Sequence, residues 1–108
     1  PTYLDIFGKR HLVNTWHELY FKACQILTNN CPYVIALLDG DKDLNFDNQT
    51  NFSYIQHEIK HNPKRLPNGL WMEMEKGSNE IVSICYQLFE KCGFPSDELQ
   101  IETLEDLA

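Results

Sequence analysis

The sequence predicts an α+β fold, a small mixed or antiparallel sheet with two main helices packed on one face. Two long segments with apolar residues at intervals of three and four predict the helices. Short segments that alternate apolar and polar residues, bounded by Gly, Pro or Asn, predict the strands. The expected order of elements is β-α-(α)-β-β-α-β.

The size and charge of the chain limit the classes of protein to which it can belong. Its 108 residues are 43% hydrophobic, enough for one core, so we expect a single domain at 1–103 and an acidic tail at 104–108. The net charge of −7 argues against sequence-independent binding to nucleic acid, which depends on Lys and Arg. No apolar run approaches a membrane span and no signal peptide is evident, so we expect a cytoplasmic protein without a membrane partner.

The chain opens with a predicted strand and continues into a capped helix. Apolar residues from Tyr3 to Val13 indicate a strand or paired strand fragments. Thr15 and Glu18 form a capping-box pattern, in which the Thr15 hydroxyl accepts from the N–H of Glu18 and the Glu18 carboxylate reaches back to the N–H of Thr15. The helix should run from this cap to Asn29-Asn30. Its predicted buried stripe is Trp16, Leu19, Tyr20, Ala23, Ile26 and Leu27.

The middle of the chain is predicted as a short helix, a polar loop and a strand. Pro32 suits the first turn of a helix, so we expect a short helix from Tyr33 to Leu38, with a buried strand as the alternative. The acid-rich and Asn-rich stretch from Asp39 to Asn51 should be a loop. A strand should then begin at Phe52 and run to about Ile59.

The second half of the chain is organised around the stretch from Leu66 to Gly93. Pro67-Asn68-Gly69 is typical of a tight turn, because Pro restrains φ and both Asn and Gly tolerate left-handed conformations. The alternation after this turn predicts a half-buried strand. Its apolar face is Leu70, Met72 and Met74, and its outward face is Trp71, Glu73 and Glu75.

A second long helix should follow that strand. Gly77-Ser78-Asn79 offers side-chain oxygens to the free N–H groups at its start, and Glu80 adds negative charge to its first turn. Gly93 and Pro95 should end it, and residues 99–101 predict a short closing strand. The predicted buried stripe of this helix is Ile81, Ile84, Cys85, Leu88, Phe89 and Cys92.

The spacing of the four cysteines bears on whether they form disulfides or bind a metal. Cys24 and Cys31, like Cys85 and Cys92, are seven residues apart, which is ~10 Å of rise along a helix. That distance is too long for a disulfide within one helix, and the spacing is not that of zinc ligands. We therefore expect reduced, buried thiols, with a disulfide or a metal between the two pairs as the alternative.

The segment from His57 to His61 matches the HExxH pattern of zinc peptidases. In that chemistry the two His side chains lie one helical turn apart, and the Glu activates the metal-bound water. Residues typical of strands precede this segment and Pro63 follows it, so we expect a strand that turns Glu58 away from both histidines. A metal-dependent hydrolase using His57, Glu58 and His61 is the alternative function.

The stretch from Asp39 to Asp47 has the alternating oxygen ligands of a calcium loop. An EF-hand loop needs Gly at its sixth position and Glu at its twelfth, where this chain has Leu44 and Thr50. We therefore expect a solvated acidic loop here.

One basic stretch stands out in this acidic chain, and it leads into a basic turn next to the outward face of the predicted strand. Its residues are His57, Lys60, His61, Lys64 and Arg65. Trp71 could anchor a partner there, with the neighbouring cations meeting an acidic protein surface or a phosphate backbone. The alternative is a solvated edge that discourages aggregation. Patterns for Ser-His-Asp catalysis, P-loops and GxGxxG turns are missing from the sequence, so we expect neither enzymatic activity nor a cofactor. The predicted binding residues are Lys64, Arg65, Trp71 and Glu73.

Several motifs, in this order, resemble a small domain that recurs in bacterial proteins. They are Gly8-Lys9-Arg10, Thr15-Trp16-His17-Glu18-Leu19, Pro63-Lys64-Arg65-Leu66, Asn68-Gly69-Leu70-Trp71-Met72-Glu73 and Ser78-Asn79 before a helix. In that domain a "GK…SW" opening is followed by "NGLYVETNLSAN", a helix and "FGID", whereas this chain has Met74-Glu75-Lys76-Gly77 in place of "TNLS". The resemblance covers most of the chain, and its motifs are structural rather than catalytic.

The resemblance implies a terminal module beside restriction-type, mobile-element or other defence components. We therefore expect a non-enzymatic recognition or interaction module, an accessory part of a bacterial defence protein. Its expected partner is a protein or another domain of the same parent chain. Nucleic acid, bound through the local basic turn, is the alternative partner.

Overall fold

The computed structural model describes residues 3–45 and 49–102, and it confirms the α+β class and the antiparallel pairing of strands. Single-turn 3₁₀ helices lie at Gln56–Glu58 and Ser96–Glu98. The predicted tail at 104–108 and Asp47 lie outside the described residues. The other elements are β1 (Tyr3–Ile6), β2 (Lys9–Leu12), α1 (Trp16–Asn30), α2 (Pro32–Ala36), β3 (Phe52–Ser53), β4 (Pro63–Arg65), β5 (Trp71–Glu73), α3 (Ser78–Lys91) and β6 (Leu99–Glu102).

The strands form two sheets instead of the single sheet expected. The first has the order β2-β1-β6, because the last strand returns to pair with the first, with Tyr3 opposite Glu102 and Ile6 opposite Leu99. The second has the order β3-β5-β4 and uses only residues between 52 and 73. The strand β4 was not predicted from the sequence. Both β2 and β4 therefore lie at a sheet edge.

The opening segment forms a hairpin, one of the two forms expected for it. Phe7 and Gly8, the two residues between β1 and β2, both have positive φ, 54° and 75°. That pair of angles belongs to the tight turns that match the twist of a two-stranded ribbon. The Phe7 ring packs against Phe89 and Phe94 at centroid distances of 5.3 and 4.7 Å, which holds the non-glycine residue in this conformation.

The cap of α1 forms as predicted, with one difference in the partner of Glu18. The N–H of Glu18 donates to the Thr15 hydroxyl at 3.0 Å, and the Glu18 carboxylate accepts from the N–H of Asn14 at 2.6 Å rather than from Thr15. The helix ends at Asn30 as expected. Leu19, Tyr20, Ala23 and Leu27 of its predicted stripe are buried, while Trp16 and Ile26 are half-buried.

The second long helix, α3, keeps its predicted stripe but begins differently. Gly77 is the N-cap and makes no side-chain cap, and Ser78 already lies in the first turn, so the expected capping oxygens are not used. The Glu80 carboxylate accepts from the N–H of Gly77 at 3.5 Å instead. Gly93, with φ of 78°, follows the end of the helix as predicted. Ile81, Ile84, Cys85, Leu88 and Phe89 are buried.

The expectation of four reduced thiols is wrong for two of the cysteines. Cys31 and Cys92 form a disulfide, with their Cα atoms 6.3 Å apart, whereas Cys24 and Cys85 are buried free thiols as predicted. Burial raises the pKa of Cys85 to about 12, and burial together with the proximity of Cys85 raises the pKa of Cys24 well above its ordinary range. Cys31 is the C-cap residue of α1 and Cys92 is that of α3, so the disulfide joins the C-terminal ends of the two long helices.

Candidate functional site

The HExxH segment does not have the conformation that zinc chemistry requires, nor is it the strand expected. After β3, the Ser53 hydroxyl accepts from the N–H of Ile55 at 3.0 Å, a local turn that ends the strand, and one 3₁₀ turn follows. The Glu58 carboxylate accepts from the Ser53 hydroxyl at 2.5 Å. His57 and His61 are exposed. Over residues 3–45 and 49–102, the structure contains no group of three or more His, Cys, Asp or Glu that could hold a metal ion.

The acidic loop before β3 forms ion pairs with Lys91 of α3. The Lys91 ammonium lies 3.0 Å from the Asp41 carboxylate and 2.9 Å from that of Asp43. Asp41 also accepts from the N–H groups of Asp43 and Leu44 at 2.8 and 3.2 Å. Burial raises the pKa of Asp41, but Lys91 and these N–H donors outweigh burial and lower it overall. The loop is therefore fastened to the end of α3.

Glu73 does not face outward as the strand alternation predicted. Its side chain is buried, and its carboxylate accepts from the N–H groups of His61, Asn62 and Glu75 at 2.9, 2.7 and 3.1 Å. Burial raises the pKa of Glu73, but the three N–H groups together lower it below its ordinary value. The segment before β4 covers this face of β5. Glu73 therefore joins that segment to β5 through hydrogen bonds.

Arg65 and Trp71 come together as the sequence predicted. They are direct partners across β4 and β5, and the Arg65 guanidinium carbon lies 5.8 Å from the centroid of the Trp71 ring. The turn beneath them contains Gly69, whose φ is 92°. A Cβ atom at Gly69 would lie 3.5 Å from the Arg65 guanidinium, so the turn packs closely against this side chain. Arg65 is exposed and Trp71 is half-buried.

Lys64 points to the opposite face of β4 from Arg65, because successive side chains of a strand alternate. Its ammonium lies 4.2 Å from the centroid of the Phe21 ring on α1. A cation held over an aromatic face in this way gains about 0.5–1 kcal/mol at an exposed site. The predicted basic turn is therefore divided between two surfaces of the molecule.

The surface that carries Lys64 is a groove, called here the α1 groove. It has a volume of about 350 Å³ and lies between the end of β2, one face of α1 and the edge strand β4. Burial, followed by the charges of Lys22 and Lys9, lowers the pKa of His11, which precedes the groove. The lining residues are Leu12, Val13, Asn14, Glu18, Phe21, Lys22, Gln25 and Lys64.

Sequence reasoning missed three residues of this groove, Leu12, Phe21 and Lys22. Leu12 is apolar and 79% exposed, which is unusual for a strand residue next to a helix cap. Phe21 and Lys22 lie off the buried stripe of α1, and that was the signal available in the sequence. Their closeness to Lys64, more than 40 residues away along the chain, could not be deduced from the pattern.

A larger cleft, of about 660 Å³, lies beside α3 and the acidic loop. Lys42, Asp43, Gln87, Glu90 and Lys91 line it, and its wall includes the ion pair between Asp43 and Lys91. Two of its four charged side chains, Asp43 and Lys91, are therefore already paired with each other. In the part of the chain that the structure describes, no helix has the length and apolar composition to cross a membrane.

Comparisons of the chain with protein-family models, with curated proteins and with solved structures each gave no match.

Proposed function

We propose that the protein is a non-enzymatic recognition module that binds an acidic segment of a protein partner along the edge strand β4, whose two cations, Lys64 and Arg65, face its opposite sides. The observation that carries this proposal is that two adjacent cations on an edge strand, Lys64 and Arg65, each lie beside an aromatic ring. Pairs of aromatic and Arg side chains are common anchors of protein interfaces. In a chain with a net charge of −7, these cations mark where an acidic partner would be accepted.

A protein partner fits this surface better than nucleic acid does. Binding to a nucleic acid backbone gains its strength from many Lys and Arg contacts with phosphates. Here β4 supplies two cations, and the whole chain has 9 basic residues against 16 acidic ones, so the average field repels a polyanion. A short acidic protein segment needs only a local match of charge.

The resemblance to a bacterial defence-associated module supports an accessory role beside other components. In this proposal the partner is another domain of the parent chain or a separate cytoplasmic protein. The recognition residues would then be Lys64, Arg65 and Trp71, with Glu73 holding the segment that presents them.

The proposal is tested by titrating a fluorescent glutamate-rich peptide into the protein at two salt concentrations. We expect Lys64→Glu and Arg65→Glu each to weaken binding by about tenfold, equivalent to ~1.4 kcal/mol. Lys60→Glu is the matched control, because Lys60 is exposed and carries the same charge outside β4. The proposal fails if neither β4 variant differs from this control, or if a duplex DNA of equal charge binds more tightly than the peptide.

A further inference from the structure

The opposite orientations of Lys64 and Arg65 leave one of the two cations in the α1 groove, away from Trp71. Three parts of the chain line this groove: Leu12 to Asn14, one face of α1, and Lys64 of β4. Leu12 is the last residue of β2 and Lys64 lies on β4, and these two strands are edge strands of different sheets. A ligand in the groove would therefore lie between two sheet edges.

The groove presents two cations and one carboxylate that is already engaged. Lys22 and Lys64 supply the ammonium groups, and Lys64 is held in place over the Phe21 ring. The carboxylate is that of Glu18, which accepts from the N–H of Asn14 at 2.6 Å and completes the start of α1. Two ammonium groups are therefore available to the carboxylates of a ligand.

The same groove presents apolar surface to a ligand. Leu12 has 79% of its surface exposed at one end, and Phe21 is half-buried under Lys64. Exposed apolar side chains next to cations favour a ligand that combines an apolar residue with acidic ones. The volume of about 350 Å³ is near the lower end for ligand clefts, which are roughly 300–1,000 Å³, so the groove accommodates a few side chains rather than a folded surface.

We infer that the α1 groove binds a short extended segment of the partner protein, in which acidic residues flank a large apolar side chain. The acidic residues meet Lys22 and Lys64, and the apolar side chain packs against Leu12 and Phe21. An extended backbone suits a site between two strand edges. This inference rests on the proposed function and names the kind of segment that is recognised.

The test uses three synthetic peptides that differ only at their centre and in their charge. One has a leucine flanked by glutamates, the second replaces the leucine by serine, and the third replaces the glutamates by glutamines. We expect the first to bind about tenfold more tightly than either of the others. The variant Lys22→Glu should weaken the first peptide by about tenfold, and Leu12→Ser should remove the preference for leucine over serine.

The control for charge is Lys9→Glu, because Lys9 lies on β2 but outside the lining of the groove. Leu12 is largely exposed and Lys22 is half-exposed, so the variants should fold, and thermal unfolding will verify that they do. Binding that is lost in Arg65→Glu but unchanged in Lys22→Glu and Leu12→Ser would contradict binding in the α1 groove. The proposed function, recognition through β4, would still stand. Equal binding of all three peptides would also overturn the groove, and insensitivity to every variant would overturn both proposals.

Discussion

Glu73 shows how one buried carboxylate can organise a segment that has little regular structure of its own. Three backbone N–H groups, from His61, Asn62 and Glu75, converge on it. Two of these donors come directly before β4 and the third follows β5, so the Glu73 carboxylate helps to fix β4 beside β5. Lys64 and Arg65 are presented from that strand.

We predict that Glu73→Gln lowers the free energy of unfolding by about 2 kcal/mol, because an amide replaces a charged acceptor for three N–H groups. The folded-state pKa of Glu73 is lowered from 4.5, so its contribution is present above that pH and is lost as the pH falls through the folded-state pKa. Denaturant unfolding at pH 7 and at pH 3 measures both effects. In the variant, the difference in stability between these two pH values should be smaller.

The control for this prediction is Glu75→Gln, two residues along the chain. The Glu75 side chain is 68% exposed and lies 3.7 Å from His61, so its loss should change stability by less than about 0.5 kcal/mol. Equal effects of the two substitutions would show that the N–H cluster around Glu73 does not stabilise the fold.

At the scale of elements, the Lys91 ammonium connects the end of α3 to the acidic loop between α2 and β3. Asp43 and Asp41 raise the pKa of Lys91 through hydrogen bonds, and Asp41 also accepts from the N–H groups of Asp43 and Leu44 in the loop. The loop is therefore tied to a residue about 50 positions away along the chain, in addition to the hydrogen bonds within it.

We predict that Lys91→Met loosens this loop while leaving the helices intact. The N–H groups of Asp43 and Leu44 should exchange with solvent several times faster, because the Asp41 acceptor is no longer fixed. Hydrogen exchange followed by NMR reports both groups. Lys42→Met is the matched control, since Lys42 is exposed in the same loop, and equal acceleration in both variants would contradict the role of Lys91.

The long helices could be predicted from the sequence because α1 and α3 have 15 and 14 residues of sustained apolar periodicity. The region from Phe52 to Arg65 could not. Its strands have two and three residues, and the hydroxyl of Ser53 and the carboxylate of Glu73 decide where the chain turns. Segments this short show no apolar periodicity, and the Glu73 carboxylate lies 12 and 11 residues along the chain from the N–H groups of His61 and Asn62 that it binds.

Some residues of the candidate site could be predicted from the sequence, but their arrangement could not. Lys64, Arg65 and Trp71 were expected to be accessible, and Lys64 and Arg65 are exposed while Trp71 is half-buried. Without β4, however, the sequence could not show that Lys64 and Arg65 face opposite ways. The contribution of α1 to the groove depends on tertiary contact, which the local pattern does not contain.

At the scale of the whole molecule, the Cys31–Cys92 disulfide closes a long loop that contains the second sheet and α3. A link over a sequence separation of 61 residues restricts the unfolded chain strongly. Because glutathione keeps most cytosolic thiols reduced, this disulfide is the feature that agrees least with the proposed cytoplasmic location.

We predict that replacing both partners, in Cys31→Ser/Cys92→Ser, lowers the free energy of unfolding by about 2–4 kcal/mol. Reductant should lower the stability of the original protein by a similar amount and leave the double variant unchanged, since Cys24 and Cys85 are free thiols. Denaturant unfolding with and without dithiothreitol gives all four values. A double variant as stable as the oxidised protein would contradict the prediction.

The pairing of β6 with β1 brings Tyr3 and Glu102 face to face across the first sheet. Directly opposed residues of antiparallel strands have Cα atoms about 4.5–5.5 Å apart. Such a domain can be inserted into a surface turn of a host protein with little separation of the host residues on either side. A circular permutant that joins these strands and opens the chain elsewhere should fold for the same geometric reason.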